Sequence, residues 1–199
     1  IPGAKLKESE LCEVFGVSRT IIRRILLRLS LDKVVELRPN KGAVIATPAA
    51  EDVRQIFAAR RLLEIGIIDE ACEHCEAADT AALKGIVARE NAAIQSGDRS
   101  GAIRLAGEFH VELARVARNR PIQELLRQLV AQSSLALALY EAPGHLLCVD
   151  DDHIDIITAV SAGDAAKSRD LMAKHLAKAE AEMKLEAPED NNDLKSVFA

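Results

Sequence analysis

Tryptophan is absent from this chain, tyrosine occurs once and phenylalanine four times, so aromatic residues are only 3% of its 199 residues. A core built without aromatics must be filled by Ala, Leu, Ile and Val, which suits close packing of helices. Cysteine is also scarce: Cys12, Cys72, Cys75 and Cys148 make no secreted disulfide framework and fit a reducing cytoplasm. Cys72-Glu73-His74-Cys75 has the look of a metal clip, but it falls late in a predicted helix with no second pair, and ordinary helix residues explain it better. No apolar run approaches the roughly twenty residues of a membrane span, and no signal-peptide pattern is visible. Together these absences exclude a disulfide scaffold and a helical membrane protein, and the expected compartment is the cytoplasm.

Charge is present but unevenly spread. The net charge is −5, yet residues 1–46 hold nine Lys/Arg against five acids, a surplus of +4 that leaves −9 for the remaining 153 residues. A basic head on an acidic body turns one end of a chain toward an anionic partner and keeps the other end off it.

The head is organised around Phe15–Leu31. Gly16-Val17-Ser18 is turn chemistry delivering a helix, with Ser18 or Thr20 as its N-cap. At about 100° per residue, Ile21, Ile22, Ile25, Leu26 and Leu29 share one arc, and Arg19, Thr20, Arg23, Arg24 and Arg28 share the other. Lys7–Phe15 precedes it as a shorter helix, which makes a helix-turn-helix. Arginines alone would read as a solvated helix face. The segment after the helix shifts that balance: Val34–Arg38 alternates like a strand, Pro39-Asn40-Lys41-Gly42 is a turn, and Ala43–Ala46 returns as a second strand. A helix-turn-helix joined to a basic-tipped hairpin is a winged helix, and arginine forks suit both phosphate oxygens and the O6/N7 edge of guanine.

Lys5–Gly42 resembles the winged-helix domain of GntR-type bacterial transcription regulators, through Leu6, Glu8 and Leu11, then Val17-Ser18-Arg19-Thr20, Arg23, Leu26, Leu29 and the Asn40/Gly42 tip. The resemblance implies DNA contacts from Arg19 and Arg23, with Gly42 letting the wing enter the minor groove, and Ser18, Thr20, Arg24 and Lys41 are the further DNA-binding candidates of this chain. Ile21, Arg24 and Ile25 stand where the family usually has Pro, Glu and Ala, and Ser9 where it often has Arg. These departures bear on which operator sequence is read. Such domains normally begin with a further helix before Pro2-Gly3, so the N-terminal helix is expected to be missing from this chain.

Beyond Thr47-Pro48 the periodicity predicts an all-α antiparallel bundle of six helices, at about 50–75, 79–95, 99–118, 120–141, 149–162 and 164–186. Gly163-Asp164 combines a C′ glycine with an N-cap aspartate. The expected division is a winged helix-turn-helix over 1–47, a body over 48–187 and a flexible tail over 188–199. The fold class is mainly α.

Charged residues and histidines interrupt the apolar stripes of the body. Arg60 and Glu64, one turn apart, lie within about 20° of the centre of the stripe of Val53, Ile56, Phe57, Ile67, Ile68 and Ala71. Charges there need a partner or a ligand. A buried pair fixing helix packing and a carboxylate-gripping pocket remain equally open. His110 sits among Ile103, Ala106, Leu113, Ala114 and Ala117. His153 sits among Ile156, Ile157 and Val160, and His175 among Ser168, Leu171, Met172 and Ala179. One such histidine would read as a core residue. Three on three helices point to a converging site for Zn²⁺, Ni²⁺ or a similar divalent ion. His74 and His145 lack this setting and read as surface residues.

This arrangement is similar to the FCD ligand-binding domain of the FadR branch of GntR regulators, through Arg60 and Glu64, Phe109-His110, Leu113 and Asn119, His153, Ile157, Ala159 and Gly163-Asp164, and His175-Leu176. Six body helices rather than seven resemble the VanR subgroup. The resemblance implies a divalent metal held by an aspartate and three histidines. The aspartate position, four residues before the first histidine, is Ala106 here, and Glu108 points about 160° away from His110. A three-histidine centre with more open coordination is therefore expected.

The function expected is a cytoplasmic, ligand-responsive repressor that binds a near-palindromic operator in double-stranded DNA as a homodimer and answers to a small carboxylate effector. An alternative is a metal-dependent hydrolytic enzyme using the three-His centre, although no clear general base accompanies it. A third is a dimerisation scaffold in which these residues only pack.

Overall fold

In a computed structural model of the chain, residues 3–39, 42–140 and 152–183 are described, and they fall into two compact units, 3–49 and 50–183. Asn40 and Lys41, His145, Cys148 and the predicted tail lie outside the described residues.

The smaller unit runs β1 (Lys5–Leu6), α1 (Glu8–Phe15), α2 (Arg19–Leu31), β2 (Val35–Arg38) and β3 (Gly42–Ile45). The strands form an antiparallel sheet in the order β1-β3-β2, with Lys5 opposite Val44, Val35 opposite Ile45 and Arg38 opposite Gly42. Gly16 ends α1 with φ +63°, a left-handed conformation that costs a glycine little. Ser18 is the N-cap of α2 and accepts a hydrogen bond from the Ile21 amide at 3.5 Å. Ile22 and Leu26 are buried and pack with Val35 and Ala43, while Leu29 is half-buried. The apolar arc predicted for α2 is narrower than its five residues. Ile21 and Ile25 are 43% and 47% exposed, because α1 and a three-stranded sheet cover only one row of this helix.

The larger unit contains seven helices among the described residues: α3 (Ala50–Gly66), α4 (Ile68–His74), α5 (Ala77–Ser96), α6 (Arg99–Val116), α7 (Arg120–Tyr140), α8 (Asp152–Ser161) and α9 (Ala165–Ala181). The single helix predicted over 50–75 is broken at Ile67. Gly66 weakens the helix there by about 1 kcal/mol relative to Ala. The bend buries both Ile67 and Ile68, which an unbroken helix would place about 100° apart. The break makes seven helices of the body among the described residues where six were expected, and the VanR likeness drawn from that count is not confirmed. The remaining boundaries follow their caps. Glu76 and Asp79 make a capping box, Asp98 accepts from the Gly101 amide at 2.9 Å, and Asp164 accepts from the Lys167 amide at 3.0 Å directly after Gly163 at φ +71°.

Helix α6 packs between α5 and α7, α3 packs on α7 and α9, and α8 packs on α5 and α9. Gly107 is where α6 and α7 touch: a Cβ there would meet Val130 Cγ1 at 2.8 Å. The core is Leu-, Ile- and Ala-rich, with Phe57 and Phe109 fully buried.

Candidate functional site

In the smaller unit, Arg19, Thr20, Arg23 and Arg24 are exposed on α2 with Ser18 capping it, and Gly42 is exposed at the start of β3 with φ +80°. Lys41 lies outside the described residues. Arg23 does not stand alone. Its Nε donates to both oxygens of Glu8 at 2.9 and 3.0 Å, and the two residues line a shallow groove of about 430 Å³ with Arg38, Pro39 and Gly42. The fork holds Arg23 extended beside the root of the wing, and the Glu8 carboxyl is held below its ordinary range mainly by that hydrogen bond. Arg19 and Arg24 make no ion pair within 4.0 Å among the described residues.

In the larger unit, the three predicted histidines meet. His110 on α6, His153 on α8 and His175 on α9 are all buried. The Nε2 atom of His175 lies 3.2 Å from that of His153 and 3.3 Å from that of His110, and one ligand atom from each ring falls within 4.8 Å of the others. Two nitrogens sharing a tetrahedral ion at 2.0–2.1 Å stand roughly 3.3 Å apart, so these spacings fit a shared divalent ion. Among the described residues no other group of three metal-ligating side chains is this close. Cys72, His74 and Cys75 do not make one. Cys75 approaches Thr80 Oγ1 at 3.5 Å, Cys72 faces Ser168 at 3.8 Å, and His74 is half-buried.

Each histidine has a carboxylate behind it. Glu64 Oε2 lies 2.5 Å from His110 Nδ1, out of line for a hydrogen bond. Glu90 Oε2 lies 2.9 Å from His153 Nδ1, and Asp152 Oδ2 lies 3.6 Å from His175 Nδ1. A carboxylate that accepts from Nδ1–H leaves the Nε2 lone pair facing inward, where all three rings converge. The rings are clamped as well. Phe109 stacks on His153 with centroids 4.1 Å apart, and His153 lies 4.6 Å from His175.

Arg60 and Glu64 join this cluster. Arg60 Nε donates to Glu64 Oε1 at 2.7 Å and Nη1 donates to Ser133 Oγ at 2.9 Å, while Nη2 has no hydrogen-bond partner among the described residues. Burial opposes ionisation of Glu64, but Arg60 and His110 outweigh it and hold the carboxyl down at about 2. Burial takes His110 down to about 3 against the opposing pull of Glu64, and lowers His175 too. These two imidazoles are thus neutral at pH 7 and able to act as ligands. Ala106 lies half-buried one turn before His110, and Glu108 is turned away onto Arg89 and Arg104 at 2.8 and 3.1 Å.

Sequence reasoning missed Glu90 and Ser133. Glu90 carried a signal, since it interrupts the buried stripe of Leu83, Ile86, Val87 and Ala93 on α5 just as Arg60 does on α3. Ser133 carried none, because its place in the site depends on how α7 meets α3.

Comparison with known proteins bears on both units. Residues 55–178 match the FCD domain family, and residues 1–45 match the gntR family of bacterial regulatory proteins. The chain is 29% identical over 188 residues to the Uxu operon regulator of Haemophilus influenzae, covering 85% of this chain and 69% of that one. It is 28% identical over 204 residues to the HTH-type transcriptional regulator LutR of Bacillus subtilis, covering 90% and 91%. Its fold is similar to that of E. coli McbR/YncC, with a TM-score of 0.78 at 22% identity over 90% of this chain and 86% of that one. FCD domains of this kind can bind a metal ion and serve as small-molecule effector domains, joined to a DNA-binding helix-turn-helix. The chain belongs to the FCD-domain transcription regulators of the bacterial gntR family.

Proposed function

We propose that this regulator is a cytoplasmic repressor that binds a near-palindromic operator as a homodimer and is released by a small carboxylate metabolite. The observation that carries the effector half is the juxtaposition of three buried histidines with a buried arginine that keeps one guanidinium nitrogen unengaged. His110, His153 and His175 would hold a divalent ion, Zn²⁺ or Ni²⁺ by their all-nitrogen donor set, and the ion would offer a positive open position. Arg60 Nη2, without a partner among the described residues, would supply a directed donor for a carboxylate beside that ion. Glu64 orients both groups, since one oxygen engages Arg60 and the other faces His110.

On the DNA side, α2 would lie in the major groove with Arg19, Arg23 and Arg24 toward bases and phosphates, Ser18 and Thr20 on the backbone at the helix start, and Lys41 and Gly42 at the wing. Two copies place two such helices on two half-sites, which is why a near-palindrome is expected. The effector must bind the DNA-incompetent arrangement better than the competent one, because equal affinity shifts nothing.

The test uses Arg19→Ala and Arg23→Ala against an operator selected from random duplexes. Each variant should weaken binding and flatten the dependence of log affinity on log salt by about one unit. Unchanged affinity and an unchanged salt slope in both would overturn the assignment of α2. Titration of carboxylates into the zinc-loaded protein, read as loss of operator binding, tests the effector half.

A further inference from the structure

The buried charge in the larger unit does not balance among the side chains alone. Glu64 has Arg60. Glu90, which is 2% exposed, has no cationic side chain within 4.0 Å among the described residues, and its one charge-capable neighbour is the imidazole of His153 at 2.9 Å. A buried acid calls for a hydrogen-bond donor or a cation beside it. Its position relative to the ring says where a cation would belong. Glu90 Oε2 is on the Nδ1 side of His153, and the Nε2 side faces His175 Nε2 at 3.2 Å. A cation held where the histidines converge would sit directly across the imidazole from Glu90. Phe109, stacked on the ring with an interplanar angle of 30°, stops it tilting, and the Glu90 contact sets which edge faces inward.

We propose that Glu90 is a positioning residue for the metal centre: it fixes His153 as the Nδ1–H tautomer and supplies, one imidazole further out, the negative charge that Ala106 does not provide. This rests on the metal reading above. Glu64 lies out of line with His110 Nδ1 and shares its charge with Arg60, and Asp152 has Lys178, so among the described residues Glu90 is the buried carboxylate whose one ionisable partner is a histidine of the cluster. The loaded centre then has a simple charge count. Asp152 is matched by Lys178 at 3.4 Å, Glu64 and Glu90 cancel a divalent ion, and Arg60 leaves one positive charge, so the ligand class that balances the cluster is a monoanion.

The experiment compares wild type, Glu90→Gln and Glu90→Asp for Zn²⁺ affinity by competition with a calibrated chelator, alongside nitrogen NMR of the His153 ring in the zinc-loaded wild type. Glu90→Gln keeps the shape and removes the charge, and it should weaken Zn²⁺ binding by about 10–100-fold. Glu90→Asp should retain most of the affinity, whereas a merely packing role predicts the opposite order, because Gln fills the space better than Asp. The wild-type spectrum should show a proton on His153 Nδ1 and the metal on Nε2. Zinc affinity of Glu90→Gln within about twofold of wild type, or a wild-type His153 bonded to zinc through Nδ1, overturns the proposal while leaving the metal reading in place. A wild type that takes up no Zn²⁺ overturns both. The NMR arm needs no variant, so a poorly folded Glu90→Gln leaves the proposal open to refutation.

Discussion

Replacing Arg60 by Met asks whether the buried ion pair and the histidines form one electrostatic unit. Arg60 and Glu64 face each other at 2.7 Å with side chains 4% and 1% exposed. Met keeps much of the length of Arg and removes the guanidinium. Ser133 is not stranded by the change, since its hydroxyl also donates to the Val130 carbonyl at 3.0 Å. Glu64 is stranded. Breaking a buried pair from one side costs about 3–5 kcal/mol, and in a domain of this size that corresponds to a fall in Tm of roughly 10–20 °C. The double variant Arg60→Met/Glu64→Leu removes both charges and should recover most of the loss, because two well-packed apolar side chains need no compensation. The assay is thermal unfolding by circular dichroism in the presence of a chelator. A single variant within about 3 °C of wild type, or a double variant no better than the single, would refute the reasoning. Zinc supplies the second reading. Glu64 Oε2 faces His110 Nδ1 at 2.5 Å, so an ion on the far side of that ring compensates the orphaned carboxylate. The gain in Tm on adding zinc should be larger in Arg60→Met than in wild type. Equal gains would separate the pair from the histidines.

Two further perturbations act on the same cluster. Ala106→Asp, one turn before His110, should tighten zinc binding at least tenfold while weakening monocarboxylates in the zinc-loaded protein, both read by calorimetry; a variant that tightens both would refute the charge count. In the chelator-treated wild type, burial takes His110 from its ordinary 6.5 down to about 3. Between those values the unfolded chain binds a proton that the folded chain does not, so stability falls as pH drops through that window, by about 1.4 kcal/mol per pH unit for one such group. Denaturant melts between pH 7 and pH 5 should show this slope, and His110→Gln should flatten it; an unchanged slope in His110→Gln would place the titration elsewhere.

The winged helix was legible because its signals are local. Gly16 and Ser18 punctuate the two helices, and the two alternating runs that became β2 and β3 are neighbours in sequence. Burial on α2 was less legible, since periodicity says that Ile21, Ile22, Ile25 and Leu26 share an arc but not how wide a partner will cover it. The break at Ile67 was missed for a related reason. Gly66 in a helix is tolerated or not according to whether packing rewards a bend, and that reward comes from burying Ile67 and Ile68 on helices distant in sequence. The histidines were found as polar residues on apolar faces, but a face gives a direction and not a meeting point. A buried imidazole adds a constraint that was available and went unused. Each ring has a second nitrogen that must find an acceptor, so every histidine on an apolar stripe calls for a carbonyl or carboxylate on some other stripe. Glu90 on α5 is a lone acid of that kind and Glu64 on α3 is an acid with one oxygen beyond its arginine, and in the structure they face His153 on α8 and His110 on α6. Matching such histidines with such acids would have added α3 and α5 to α6, α8 and α9 as contributors to one buried cluster, although the partner of each ring depends on how the helices meet.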